Sequence, residues 1–143
     1  MNKNICYLLL IIVFIFSSDL SLAGSDAKQG GSVKIIEIEP SLYTPLRVGS
    51  EVLFKVKIEY EIKEDPRAIK LIIQKRKDLY SGRINSTGIG NTEEVLIHGK
   101  GQIILEKEIK IPDANAVEIV IIVKIPGQVQ GLRAHMESYN VIK

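Results

Sequence analysis

The hydrophobic pattern is clearest from Glu51 to Lys63. Val52, Phe54, Val56, Ile58, Tyr60 and Ile62 fall on one side; Glu51, Lys55, Lys57, Glu59, Glu61 and Lys63 fall on the other, with Leu53 alone out of step. Successive side chains of a strand point to opposite faces, so this period of two predicts a long strand with one dry and one wet face. A helix would spread the same residues around its surface. Weaker versions of the pattern predict strands at Val33–Glu39, Ala68–Gln74, Glu93–His98, Gln102–Ile111 and Arg133–Ile142. Pro40 lacks the N–H a ladder needs, which places the first of these at an edge. Ala116–Ile125 differs: Val117, Ile119, Ile121, Val123 and Ile125 share one face while Val120 and Ile122 occupy the other. Apolar residues on both faces predict a central strand covered on both sides.

Between these runs lie turn signals. Ser41–Ser50 carries Pro45 and Gly49 and reads as a loop; Glu64-Asp65-Pro66 and Pro112-Asp113-Ala114-Asn115 read as turns; Pro126-Gly127 ends a strand. Gly99-Lys100-Gly101 predicts a tight hairpin between two strands. Lys75–Thr92 holds Gly82, Gly88 and Gly90 with scattered apolar residues, and predicts the longest irregular stretch after the N-terminal segment, with a short strand near Leu79-Tyr80. Lys107 interrupts the apolar face formed by Ile103, Leu105, Ile109 and Ile111. A bulge or a strand end reaching solvent would each explain it, and the alternation leaves both open. No segment has a helical period. About seven short strands separated by turns predict an all-β domain, an antiparallel two-sheet sandwich.

The first residues follow a different logic. Lys3 precedes the apolar run Ile5–Phe16, then Ser17, Ser18, Asp19 and Ser21-Leu22-Ala23 before Gly24. This is the three-part pattern of a secretory signal peptide over 1–23. The run is shorter than the roughly 20 apolar residues of a spanning helix. The expected product is secreted or periplasmic, without a membrane span, and with no cysteine after the cleavage site for a lipid anchor. Gly24–Ser32 is small and polar and reads as a flexible linker, leaving 33–143 as one domain. Cys6 is the only cysteine and falls in the leader, so the mature chain has no disulfide or thiolate metal site. Its core must hold it together. The net charge is +2, and loss of Lys3 and Asp19 together leaves it unchanged. Acids and bases are mixed along the strands and Trp is absent, which argues against a nucleic-acid face or a stacking platform.

Val48-Gly49-Ser50-Glu51-Val52 leading into Phe54-Lys55-Val56-Lys57-Ile58-Glu59-Tyr60, with the strand ending Ile109-Lys110-Ile111-Pro112, resembles a bacterial immunoglobulin-like or fibronectin type III-like domain. The likeness is one of pattern and covers nearly all of 33–143. It departs from antibody-type domains in lacking a Cys pair, a core Trp and a Tyr within Ala116–Ile125. The resemblance implies an immunoglobulin-like sandwich that binds, adheres or spaces outside the cytoplasm. Asn85-Ser86-Thr87-Gly88 also resembles, more distantly, the Asn-Pro-Thr-Thr-Gly loop of chagasin-like cysteine-protease inhibitors, without its Pro.

Little in the chain points to catalysis. His98 and His135 read as isolated, and no nucleophile elbow, zinc-protease motif, P-loop or cofactor motif is present. Glu37/Glu39 and Glu59/Glu61 alternate with lysines and read as a solvated face. Asn85-Ser86-Thr87 matches a glycosylation sequon, which matters only in a eukaryotic secretory pathway. Lys75-Arg76-Lys77 is either edge protection or a contact for an anionic partner. Within Lys77–Thr92, Tyr80 and Arg83 are the residue types favoured in binding hot spots and are the candidate binding residues. The final strand offers an edge for pairing with another chain. The expectation is a non-enzymatic module with no cofactor or metal. Its partner would be another extracytoplasmic protein or an envelope component; an inhibitor acting through end loops is the alternative.

Overall fold

The computed structural model describes residues 31–78 and 84–143. The leader, most of the linker, and Tyr80 and Arg83 lie outside the described residues. The strands are β1 (Gly31–Glu39), β2 (Leu46–Arg47), β3 (Glu51–Asp78), β4 (Ile84–Asn91), β5 (Val95–Lys110), β6 (Ala116–Lys124) and β7 (Leu132–Ile142). They form one seven-stranded sheet in the order β1-β3-β6-β7-β2, with β4 and β5 also pairing with β3. Every pairing is antiparallel except β2 with β7, which is parallel over Leu46↔Val141 and Arg47↔Ile142. The all-β architecture matches the expectation. Two separate antiparallel sheets are not what the ladders form: the sheet is continuous and mixed.

The reason is β3, which runs for 28 residues through the expected turn. Glu64-Asp65-Pro66 does not reverse the chain. Ile62 pairs with Gly99 and Arg67 with Ile97, so four residues of β3 stand opposite His98 alone. The missing N–H of Pro66 costs little in such a bulge, where no ladder bond is due. β5 follows the same corner at Gly99, whose φ of +68° an L side chain rarely adopts. Gly99-Lys100-Gly101 is therefore a bend within one strand and not a hairpin. The three extra residues (4 − 1) also re-phase the alternation. Before the bend the even-numbered Phe54, Val56, Ile58 and Ile62 are buried; after it the odd-numbered Ile69, Leu71 and Ile73 are.

Before the bend, β3 lies between β1 and the long arm of β5. After it, β3 lies between β6 and the line formed by β4 and the start of β5. Both halves turn their apolar faces into a single core with Val117, Ile119 and Ile121 of β6. The Phe54 and Tyr139 rings meet edge to face at 5.4 Å. Tyr139 sits on β7, two ladders away from the second half of β3, so this contact requires the sheet to fold over on itself. The Tyr139 hydroxyl donates to the Pro40 carbonyl at 2.6 Å, tying β7 to the end of β1. Burial pushes this phenol well above the usual tyrosine range, and the Glu137 carboxylate adds to the effect. β6 is paired on both edges, as expected, and Val120 on its other face is also buried.

Outside the core, Lys34 pairs with Glu59 at 2.8 Å, Lys55 with Glu106 at 3.5 Å and Lys57 with Glu37 at 4.0 Å. The alternating carboxylates thus form cross-strand charge pairs on an open face. Lys107 keeps an unbroken register opposite Phe54, so it marks no bulge. Its stem instead runs along the core face beside Gly90 of β4, where an added Cβ would lie 3.6 Å from Lys107 Cε. That arrangement lets an amphipathic side chain lie along an apolar face.

Candidate functional site

The long irregular loop expected over Lys75–Thr92 is mostly ordered strand. β3 continues to Asp78, and β4 occupies Ile84–Asn91, with a register shift between Ile73 and Gln74. Tyr80 and Arg83 come between β3 and β4 in the sequence and lie outside the described residues. Asn85-Ser86-Thr87-Gly88 is part of β4 and pairs with Gln74–Lys77. It is not an end loop of the kind an inhibitor would insert.

The basic run Lys75-Arg76-Lys77 is split by the strand. Arg76 faces Glu118 at 3.3 Å and Asp78 at 3.5 Å. Glu118 is buried on β6 and also accepts hydrogen bonds from Gln74 Nε2 at 2.6 Å and Ser86 Oγ at 3.2 Å. Three strands thus converge on one carboxylate, which is what makes its burial tolerable. This cluster fastens the β3–β4 hairpin to β6.

His98 is exposed beside the bulge. His135 is not isolated: its Nε2 lies 2.7 Å from Glu137 Oε1, and both side chains are largely buried. They share the core-facing side of β7 with Tyr139, opposite Ile121, Ile119 and Val117. The spacing i, i+2 on a strand carries this signal in the sequence, because such residues always share a face. Among the described residues no three metal-ligating side chains converge.

A cleft of about 530 Å³ opens where β1 begins, β3 bends, β6 ends and β7 begins. Val33, Ile62, Val123 and Leu132 give it apolar walls, and Arg67, Lys124, Gln128 and Gln130 add polar groups. Arg67 follows the bulge directly. Its Nη1 donates to the Asp65 carbonyl at 2.9 Å and the Pro66 carbonyl at 3.5 Å, and Nη2 lies 3.7 Å from Glu64 Oε2. Lys124 Nζ pairs with Glu94 at 2.5 Å and donates to the Gln128 carbonyl at 2.8 Å, which holds the β6–β7 connection in place. Of the lining residues Ile125 and Leu132 are exposed, and Val129, between the lining residues Gln128 and Gln130, is 97% exposed. Because four distant stretches build the cleft, no local motif announces it.

No protein-family model matches the chain, and no curated protein matches it in sequence. Solved structures do resemble it. The alkylpurine DNA glycosylase AlkC of Pseudomonas fluorescens, solved with DNA containing an abasic-site analogue, matches 79% of this chain and 30% of its own at 10% identity and a TM-score of 0.52. The sporulation control protein Spo0M of Bacillus subtilis matches 78% of this chain and 49% of its own at 14% identity and a TM-score of 0.50. A CARDB domain from Pyrococcus furiosus matches 79% of this chain and 86% of its own at 14% identity, with a TM-score of 0.43. The chain therefore spans about a third of the first protein and half of the second. Identities this low speak to fold alone.

Proposed function

We propose that this chain is an exported, non-enzymatic module with an immunoglobulin-like sandwich fold, and that it binds another extracytoplasmic protein or envelope component at the cleft end of the domain. The observation that carries the reading is the exposure of Ile125 and Leu132 in the lining of a cleft with apolar walls and a rim of cations and amides, with Val129 exposed on the adjoining β6–β7 connection. An apolar centre with a polar rim is the usual anatomy of a recognition patch. The three-part leader pattern supports export, and the folded-over sheet around one core supports the sandwich. Tyr80 and Arg83, in the stretch of sequence between β3 and β4, are a second contact in this reading. Asn85–Gly88 is a paired strand, so an inhibitor would have to act through other end loops.

The test immobilises the protein as processed by an exporting host, after mass spectrometry confirms a chain starting at Gly24, and exposes it to envelope extract. A second column carries Val129→Asp with Leu132→Ser, shown by circular dichroism to be folded. A partner held by the first column and lost from the second is expected. Equal retention by both columns would move recognition away from the cleft, and an empty first column would remove the binding reading.

A further inference from the structure

Arg67 stands out in the cleft because bracing the bulge uses only part of its donor set. The side chain is only 10% exposed, yet it stands in the wall of an open cavity. A guanidinium carries five N–H donors in a planar fork and stays charged. Here Nη1 is engaged by the carbonyls of Asp65 and Pro66. The Nε and Nη2 edge makes no hydrogen bond among the described residues. Glu64 approaches Nη2 at 3.7 Å, outside hydrogen-bond length, and its own side chain is 64% exposed. This edge is the one that pairs side-on with a carboxylate through two parallel bonds. No Asp or Glu of the described residues lines the cleft; Glu94 offsets Lys124 from outside it and Glu64 lies loosely by Arg67, so with Arg133 the lining keeps a positive balance.

We infer that Arg67 binds the terminal carboxylate of a partner polypeptide, with the partner's last side chain, an apolar one, held against Val33, Ile62 and Val123. This rests on the binding reading above and names the chemistry the cleft recognises. Glu64 acts as a loosely held stand-in that the incoming carboxylate displaces. The amides of Gln128 and Gln130 in the same cleft match the alternating donors and acceptors of a peptide backbone, which an acyl chain would leave unused. Capture of a chain end by a positive, donor-rich recess is an established mode of peptide recognition.

The test offers the immobilised protein two pools of randomised hexapeptides ending in Val, Leu, Ile or Phe, one with a free carboxyl terminus and one amidated. Retained sequences are read by mass spectrometry and the best are titrated. Enrichment of the free-acid pool is expected, with amidation of a retained peptide weakening it by about tenfold or more, as loss of a charge-assisted pair implies. Arg67→Lys keeps the charge but not the fork and weakens the free acid by a similar factor. Glu64→Gln, at an exposed position that leaves the fold alone, removes the competitor and tightens binding about two- to fivefold. Equal retention of acid and amide pools, or a Glu64→Gln variant that binds no better, overturns the inference while leaving a peptide-binding cleft in place. Competition by dodecanoate without peptide retention overturns it in favour of a lipid carboxylate. Retention of neither pool overturns it outright, and the envelope-capture experiment then decides separately whether the domain binds a partner elsewhere.

Discussion

Replacing Tyr139 by Phe isolates one bond that closes the folded sheet. The ring stays, so its edge-to-face contact with Phe54 at 5.4 Å is kept. What is lost is the 2.6 Å hydrogen bond to the Pro40 carbonyl. A buried hydrogen bond contributes about 1 kcal/mol net, and stranding its acceptor costs about 1–3 kcal/mol more. Pro40 is half-buried, so water satisfies part of that acceptor. The expected loss is about 1.5 kcal/mol, or roughly 5 °C in Tm for a domain of this size. Urea melts with an unchanged m-value measure it directly. The pH dependence adds a second, independent signature. The Tyr139 phenol is raised in the folded state, so its contribution is complete below the unfolded phenol's pKa of about 10 and is lost as pH rises through the folded value. The gap between wild type and Tyr139→Phe should therefore begin to narrow near pH 10 and be smaller at about pH 11. A variant as stable as wild type at about pH 8, or a gap that stays constant to about pH 11, would refute the account of this bond.

Three further outcomes follow. Glu118→Ala removes the shared acceptor of Gln74, Ser86 and Arg76 and should cost about 2–4 kcal/mol, measured by chemical denaturation; a cost below half a kcal/mol would mean the cluster is solvated. Gly99→Ala forces an L side chain into φ +68° and should cost about 1–2 kcal/mol, whereas Gly88→Ala meets nothing within 4 Å and should cost less; equal losses in thermal melts would contradict the bend at Gly99. Glu59 is held below the usual carboxylate range chiefly by its hydrogen bond to Lys34. Its contribution is present above the unfolded carboxylate pKa and is lost as pH falls through the lowered value. Lys34→Gln should move the Glu59 titration upward in carbonyl-detected NMR, and no movement would dismiss that pair.

Much of the core is legible in alternation alone. Phe54, Val56, Ile58, Ile69, Leu71 and Ile73 all fall on apolar faces of the sequence pattern, and all are buried. Alternation succeeds there because burial on a strand is decided by each residue and its neighbours two away. Pro66 and Gly99 do mark changes of direction, but not the reversals that their turn chemistry predicts. A bend becomes a reversal only if the partner strand fails to bend with it, and that is a non-local fact. Gly88 and Gly90 conceal β4 for a related reason. Pairing with β3 overrides their low strand propensity, and at Gly90 a Cβ would lie only 3.0 Å from Ile109 Cγ2, so a small residue suits the close approach. The cleft is illegible because its walls come from β1, the bulge, the end of β6 and the start of β7. The His135–Glu137 pair is legible in principle, since i, i+2 neighbours on a strand share a face, and treating the two histidines as isolated misses it.

The continuity of β3 has a consequence for how the molecule assembles. Its partners β4 and β5 form one ribbon with it, from Asp78↔Ile84 at one end to Glu51↔Lys110 at the other. The sequence separation of these pairs grows from 6 residues (84 − 78) to 59 (110 − 51). Each new pair therefore closes a loop only slightly longer than the one before, and loop entropy rises slowly with length. The ribbon can zip from its hairpin end in small steps, while the joining of β7 to β1 through Tyr139 and Pro40 spans the whole domain and comes late. Substitutions at Thr87, which pairs with Lys75 across the β3–β4 hairpin, should accordingly slow folding, and Tyr139→Phe should mainly hasten unfolding, a contrast that φ-value measurements read directly.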